Sequence, residues 1–258
     1  MVGSPGVCAL FITYLIILSA TVWSPEFRDA FLHLQKTELL IFWAFGGILP
    51  TFVTLTLILG IFPSFAGDIQ SHTKEEFSAC ALGRGTLCKA RAAASCLFTV
   101  LINFFYQGIT FLTGVLPGQH LNWQAGIETV YRETKLKVTI STYYALAIFL
   151  IFSGSLVVAA LTVYASSHSK TTVASCTTAV IFWASEYALQ KLSGANPITN
   201  YLYHINVCKA MNPALNLYPG TFAPFDSPTR AMKVMLISFG VAVELLLWRS
   251  TRWRRKLI

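Results

Sequence analysis

The chain has 258 residues, of which 55% are hydrophobic, 14% aromatic and only 12% charged. A soluble domain carries roughly 25% charged residues. Here the deficit runs along the whole length, with a mean hydropathy of +0.60, so no stretch resembles an independent soluble domain. The expected class is all-α, a polytopic membrane helix bundle.

A hydrocarbon core requires about 20 apolar residues per helix, and six spans are expected, near 7–23, 39–62, 92–115, 140–165, 173–189 and 234–248. The first lacks a positive n-region, and Thr21-Val22-Trp23 is a poor cleavage context, so an uncleaved helix is expected rather than a signal peptide. Between the second and third spans lies a polar island, 66–91, flanked on each side by more than twenty residues without a charge. The third span holds Asn103 and Gln107 at i,i+4 spacing beside Tyr106. These amides either line a polar path or hydrogen-bond a neighbouring helix. In the fourth, Ser153-Gly154-Ser155 and Ala159-Ala160 suggest close helix packing. The fifth and sixth are short, and each holds one acid, Glu186 and Glu244. Intramembrane acids are functional by default, although Glu244, one turn from Trp248 and Arg249, can reach the interface and pair with the basic tail. Segment 190–233 contains Asn196-Pro197, Asn212-Pro213, Tyr218-Pro219 and Ala223-Pro224. Such pairs favour turns, which suggests an irregular cap or short re-entrant helices against the bundle.

The net charge of +8 does not imply nucleic-acid binding, because Arg249, Arg252, Arg254, Arg255 and Lys256 directly follow an apolar run. Such a cluster anchors topology and is attracted to anionic headgroups. It places both termini in the cytoplasm. With six spans the island then also faces the cytoplasm, with Lys74, Arg84, Lys89 and Arg91, and segment 190–233 becomes extracytoplasmic. The six cysteines form no CxxC pair, and no two histidines share a helix at i,i+4 spacing, so neither a structural disulfide nor a metal site is expected. A cofactor is not expected either.

Within the island, Thr73 can N-cap a short helix, with Glu76 three residues on in capping-box spacing. Gly83-Arg84-Gly85 is expected to break that helix, and a new one starts near Thr86. The phosphate-loop pattern GxxxxGK[ST] is missing, since the run from Gly83 to Lys89 has the wrong spacing. No Ser-His-Asp set, HExxH or paired carboxylate points to catalysis, so the chain is not expected to be an enzyme.

The island's punctuation resembles that of the permeases of ABC-2-type transporters: Asp68, then His72-Thr73-Lys74-Glu75-Glu76, then Phe77, Gly83-Arg84 and Lys89. The segment from Gln119 to Leu161, and the Ser/Lys-rich loop beginning at Ser166, are also similar to theirs. The likeness covers roughly 39–189. It implies a membrane-spanning permease subunit in the cell membrane, the plasma membrane of a bacterium, acting as an exporter. A homodimer, or a heterodimer with a second permease, would line the path, and a soluble ATP-binding-cassette ATPase would supply the energy. The resemblance makes the island the coupling segment, with Phe77 as apolar anchor, Lys74, Glu75, Glu76 and Arg84 as rim contacts, and Asp68 and Lys89 at its ends. Two features depart from the family pattern: no basic amphipathic helix precedes the first span, and the segment 24–38 is too short for a large extracytoplasmic domain. The alternative is a non-transport polytopic protein, such as an assembly factor, immunity protein or sensor scaffold.

Overall fold

A computed structural model describes residues 5–23, 48–70, 83–115, 122–129 and 137–192, with Ile198, Met211, Ile237, Gly240 and Glu244 as isolated positions. The helices are α1 (Pro5–Trp23), α2 (Leu49–Ile61), α3 (Pro63–Gln70), α4 (Gly83–Val115), α5 (Ile140–His168) and α6 (Thr172–Leu192), with a 3-10 turn at Ile127–Thr129. Among the described residues there is no strand, only an isolated bridge between Gly126 and Thr139.

Among the described residues, three stretches are long and apolar enough to cross a membrane: Leu49–Gly67, Lys89–Thr113 and Ile140–His168. Pro5–Ser19 and Thr172–Ile181 are shorter apolar helical stretches. The second expected span runs past its expected end at 62. Pro63 does not stop the helical path there but starts α3, in the first-turn position where its missing amide costs nothing. Gly83, Arg84 and Gly85 likewise form the first turn of α4 rather than a break before it. Glycine costs about 1 kcal/mol per residue inside a helix, and a helix of 33 residues absorbs two at its end. The expected short helix beginning at Thr73 lies outside the described residues, as do 39–47 and most of 234–248.

Neighbouring helices keep a consistent register. Gly6 of α1 lies against Leu59 of α2, and the Tyr14 and Phe52 rings meet at 5.3 Å, so α1 and α2 are antiparallel. Gly60 lets α2 approach α4 closely, because a Cβ there would overlap the Phe98 ring. Thr56 pairs with Tyr106 on the same antiparallel interface. Lipid tails are as apolar as leucine, so small residues and interhelical hydrogen bonds, rather than hydrophobicity, bring such helices together.

α5 is the central helix. Of its apolar window 72% is buried within the molecule, against 39% for α4. Gly154, at its midpoint, is closed over by the side chain of Met211, which is itself buried and lies 3.9 Å from the Thr54 hydroxyl. A residue of the expected cap therefore reaches about 21 Å along α5 from either end, at 1.5 Å per residue. α4 is amphipathic in the inverse sense of a soluble helix. Ser95, Thr99, Asn103, Gln107 and Thr110 face inward, while Leu97, Leu101, Phe104, Phe105 and Leu112 are exposed.

At the end of the bundle away from the island, residues 122–129 and 137–139 fold over α5. The Ile127 amide donates to the Val138 carbonyl and the Ile140 amide to the Ala125 carbonyl, each at 2.9 Å. Thr139 N-caps α5 by accepting from the Thr142 amide. Phe111, Trp123 and Tyr144 form a ring triangle with centroids 5.7 to 6.1 Å apart. Rings of this kind favour a membrane–water boundary.

Candidate functional site

Two polar regions organise the described bundle: a joint where α3 enters the island, and a seam through the interior.

The joint begins at Phe62, whose amide closes α2 on the Ile58 carbonyl at 2.9 Å. The first amides of α3 need an acceptor from outside their own helix, and Phe62, in the capping position, has no side-chain oxygen to offer. Ser166, in the last turn of α5 and wholly buried, supplies it. Its hydroxyl accepts from the Phe65 and Ala66 amides, each at 3.0 Å, and donates to the Phe62 carbonyl at 2.7 Å. Ser175, in the first turn of α6, donates to the same carbonyl at 3.2 Å. An N-cap contributes about 1 kcal/mol; here it also welds one helix start to another helix end. From the α4 side, the Arg91 guanidinium donates to the Ser64 carbonyl and lies 5.0 Å from the centre of the Phe65 ring, within cation–π range. Arg91 and Ser64 bracket the island in sequence, so this bond closes its base.

The seam runs along the inward face of α4. Asn103 donates to the Thr99 carbonyl at 2.9 Å, and its amide oxygen accepts from Gln107 at 3.2 Å. The Ser155 hydroxyl of α5 lies 3.3 Å from the same oxygen and 2.6 Å from the Ile151 carbonyl, dividing its proton between them. Towards α1 and α2, the Tyr106 hydroxyl pairs with Thr56 at 2.8 Å, the Tyr14 hydroxyl pairs with Thr110, and the two tyrosine rings meet edge-on at 4.8 Å. Each interhelical bond in such a setting contributes about 0.6 to 2 kcal/mol.

Of the residues singled out in the sequence, Asn103 and Gln107 come together in the seam. Asp68 and Arg84 are placed by backbone alone, in α3 and in the first turn of α4. Lys89 is exposed on α4. Lys74, Glu75, Glu76 and Phe77 lie outside the described residues. Glu186 is placed by backbone alone in α6, and Glu244 is helical and exposed. Among the described residues no group of His, Cys, Asp or Glu side chains could hold a metal ion. Sequence reasoning missed Ser166, Ser175, Thr56 and Tyr14. A proline in the first-turn position without Ser, Thr, Asp or Asn before it signals that a cap must come from elsewhere, but not from where.

Protein-family models, curated proteins and solved structures give no match to the chain. The functional reading therefore rests on its own residues. At the joint, the described flanks of the polar segment are tied to helices long and apolar enough to cross a membrane.

Proposed function

We propose that this chain is the membrane-spanning permease subunit of an ABC-2-type exporter, in a bacterial plasma membrane with both termini in the cytoplasm. A separate ATP-binding-cassette ATPase docks on the island 66–91 and powers it, and a second permease, identical or related, completes the path. The observation that carries this reading is the closed base of the island. α3 leads into it, α4 leads out, and Arg91 and Ser166 tie that base to the bundle. Movement of a soluble partner against the island then reaches the spans through short, rigid connections, which is how a two-state transporter is biased by differential contacts. Phe77 is the apolar anchor, with Lys74, Glu75, Glu76 and Arg84 around it and Asp68 and Lys89 at the ends. Charges on such a rim set partner choice more than affinity.

The test is affinity purification of the intact chain from its native membrane. A soluble Walker-type ATPase is expected to co-purify, and Phe77→Asp should lower its recovery about tenfold or more, the scale of a hot-spot loss. Full recovery with the variant removes the docking role.

One observation favours the second reading, a non-transport scaffold: the seam's polar groups bond one another within a single chain, so Asn103 and Gln107 are already occupied. If they, Glu186 or Glu244 serve a pathway, substitution should alter transport without altering ATPase binding. A neighbouring reading frame for an ATP-binding-cassette protein separates the two readings most cheaply.

A further inference from the structure

We propose that Ser166 is the positioning residue for the docking segment: its hydroxyl makes α3 part of the α5–α6 hairpin, and the Phe62–Pro63 break is the hinge where α3 parts from α2. The inference rests on the docking role proposed for the island, yet the two can fail separately. Absence of an ATPase partner removes the docking role and leaves the hinge intact.

Proline has no amide, so residue 63 donates nothing to the Leu59 carbonyl and the backbone ladder between α2 and α3 is interrupted there. The Phe65 amide, in the first turn of α3, finds its acceptor on α5, and the Ala66 amide donates to the same hydroxyl. α3 packs along α5 and α6 more extensively than along α2. Gly67 faces the start of α6, where a Cβ built on it would lie 4.0 Å from Thr172 Cγ2. Ser175 shares the Phe62 carbonyl with Ser166, so the hinge is gripped from both arms of the hairpin. Arg91 also reaches α3, but a long guanidinium side chain follows a rotation that the short serine side chain cannot. Ser166 is fully buried, so bulk water does not readily replace its hydroxyl. Work applied to the island at α3 is therefore delivered to α5 and α6 directly, and not only along the chain to α2.

The experiment is disulfide trapping between Gly67→Cys and Thr172→Cys, in the full chain in lipid nanodiscs, with the six native cysteines replaced. In the Ser166 parent the pair should cross-link readily. Ser166→Ala should slow the reaction about tenfold, the scale of a lost cap, while Ser175→Ala, which leaves the α3 amides capped, should leave the rate unchanged. Failure of the parent to cross-link overturns the proposal. So does an unchanged rate in Ser166→Ala when amide exchange along α4 and α5 shows that the bundle is intact. Should Ser166→Ala not fold, amide exchange in the parent decides. A Phe65 amide as protected as those in mid-helix supports the joint, and one exchanging like an uncapped first turn sinks it.

Discussion

The seam and the joint use the same materials, hydroxyls and backbone groups in a water-poor setting, for different ends. In the seam, partners lie in the middle of helices that already satisfy their own backbones, so each cross-link adds side-chain bonding between formed elements. At the joint, the partners are a helix start, a helix end and a hairpin, and one hydroxyl bonds two backbone amides and a carbonyl at once. The contrast teaches that the seam fixes whether the bundle holds together, while the joint fixes how one short helix is aimed. Substitutions in the seam should therefore cost global stability, and those at the joint should act locally.

The largest expected effect comes from overfilling the tight α2–α4 contact beside the seam. Gly60→Val, which drives a side chain into the Phe98 ring, should destabilise the bundle by about 3 kcal/mol, at the upper end of overpacking, as measured by thermal unfolding in detergent. Asn103→Leu should cost about 2 kcal/mol, because it removes the acceptor of the buried Gln107 amide, while Ser155 keeps the Ile151 carbonyl; amide exchange at Phe65 should not change. Tyr106→Phe should cost about 1 kcal/mol, since only the Thr56 pairing is lost and the ring contacts remain. Ser175→Ala should cost about 0.5 kcal/mol or less, because Ser166 still donates to the Phe62 carbonyl. If Ser175→Ala instead unfolds the chain, the joint belongs with the seam and the contrast fails.

The parts legible from sequence were those carried by local composition. The uncharged runs on either side of the island mark the second span and α4, and the run after Thr139 marks α5, because twenty apolar residues have few other uses. Asn103 and Gln107 stood out because amides are rare in such a run and share a helix face. Ser166 did not, since its partners lie 100 and 101 residues away and one serine among several in its loop carries no mark of a distant cap. The Gly83-Arg84-Gly85 break was misjudged for a related reason. Two glycines weaken a helix locally, but here they fall in the first turn of a helix stabilised along its length by packing against α2 and α5. Met211 was equally invisible, because a methionine in a proline-rich segment gives no sign that it will close over Gly154.

The central claim, that the island receives work from a soluble ATPase, is tested most directly by a photo-crosslinking residue placed at Phe77 in the living cell, with the exposed Leu97 in the apolar stretch of α4 as the control position. The account predicts an adduct at position 77 with a protein carrying a Walker phosphate loop, and none at 97. Adducts at 77 that contain only lipid, or only other copies of this chain, would contradict it.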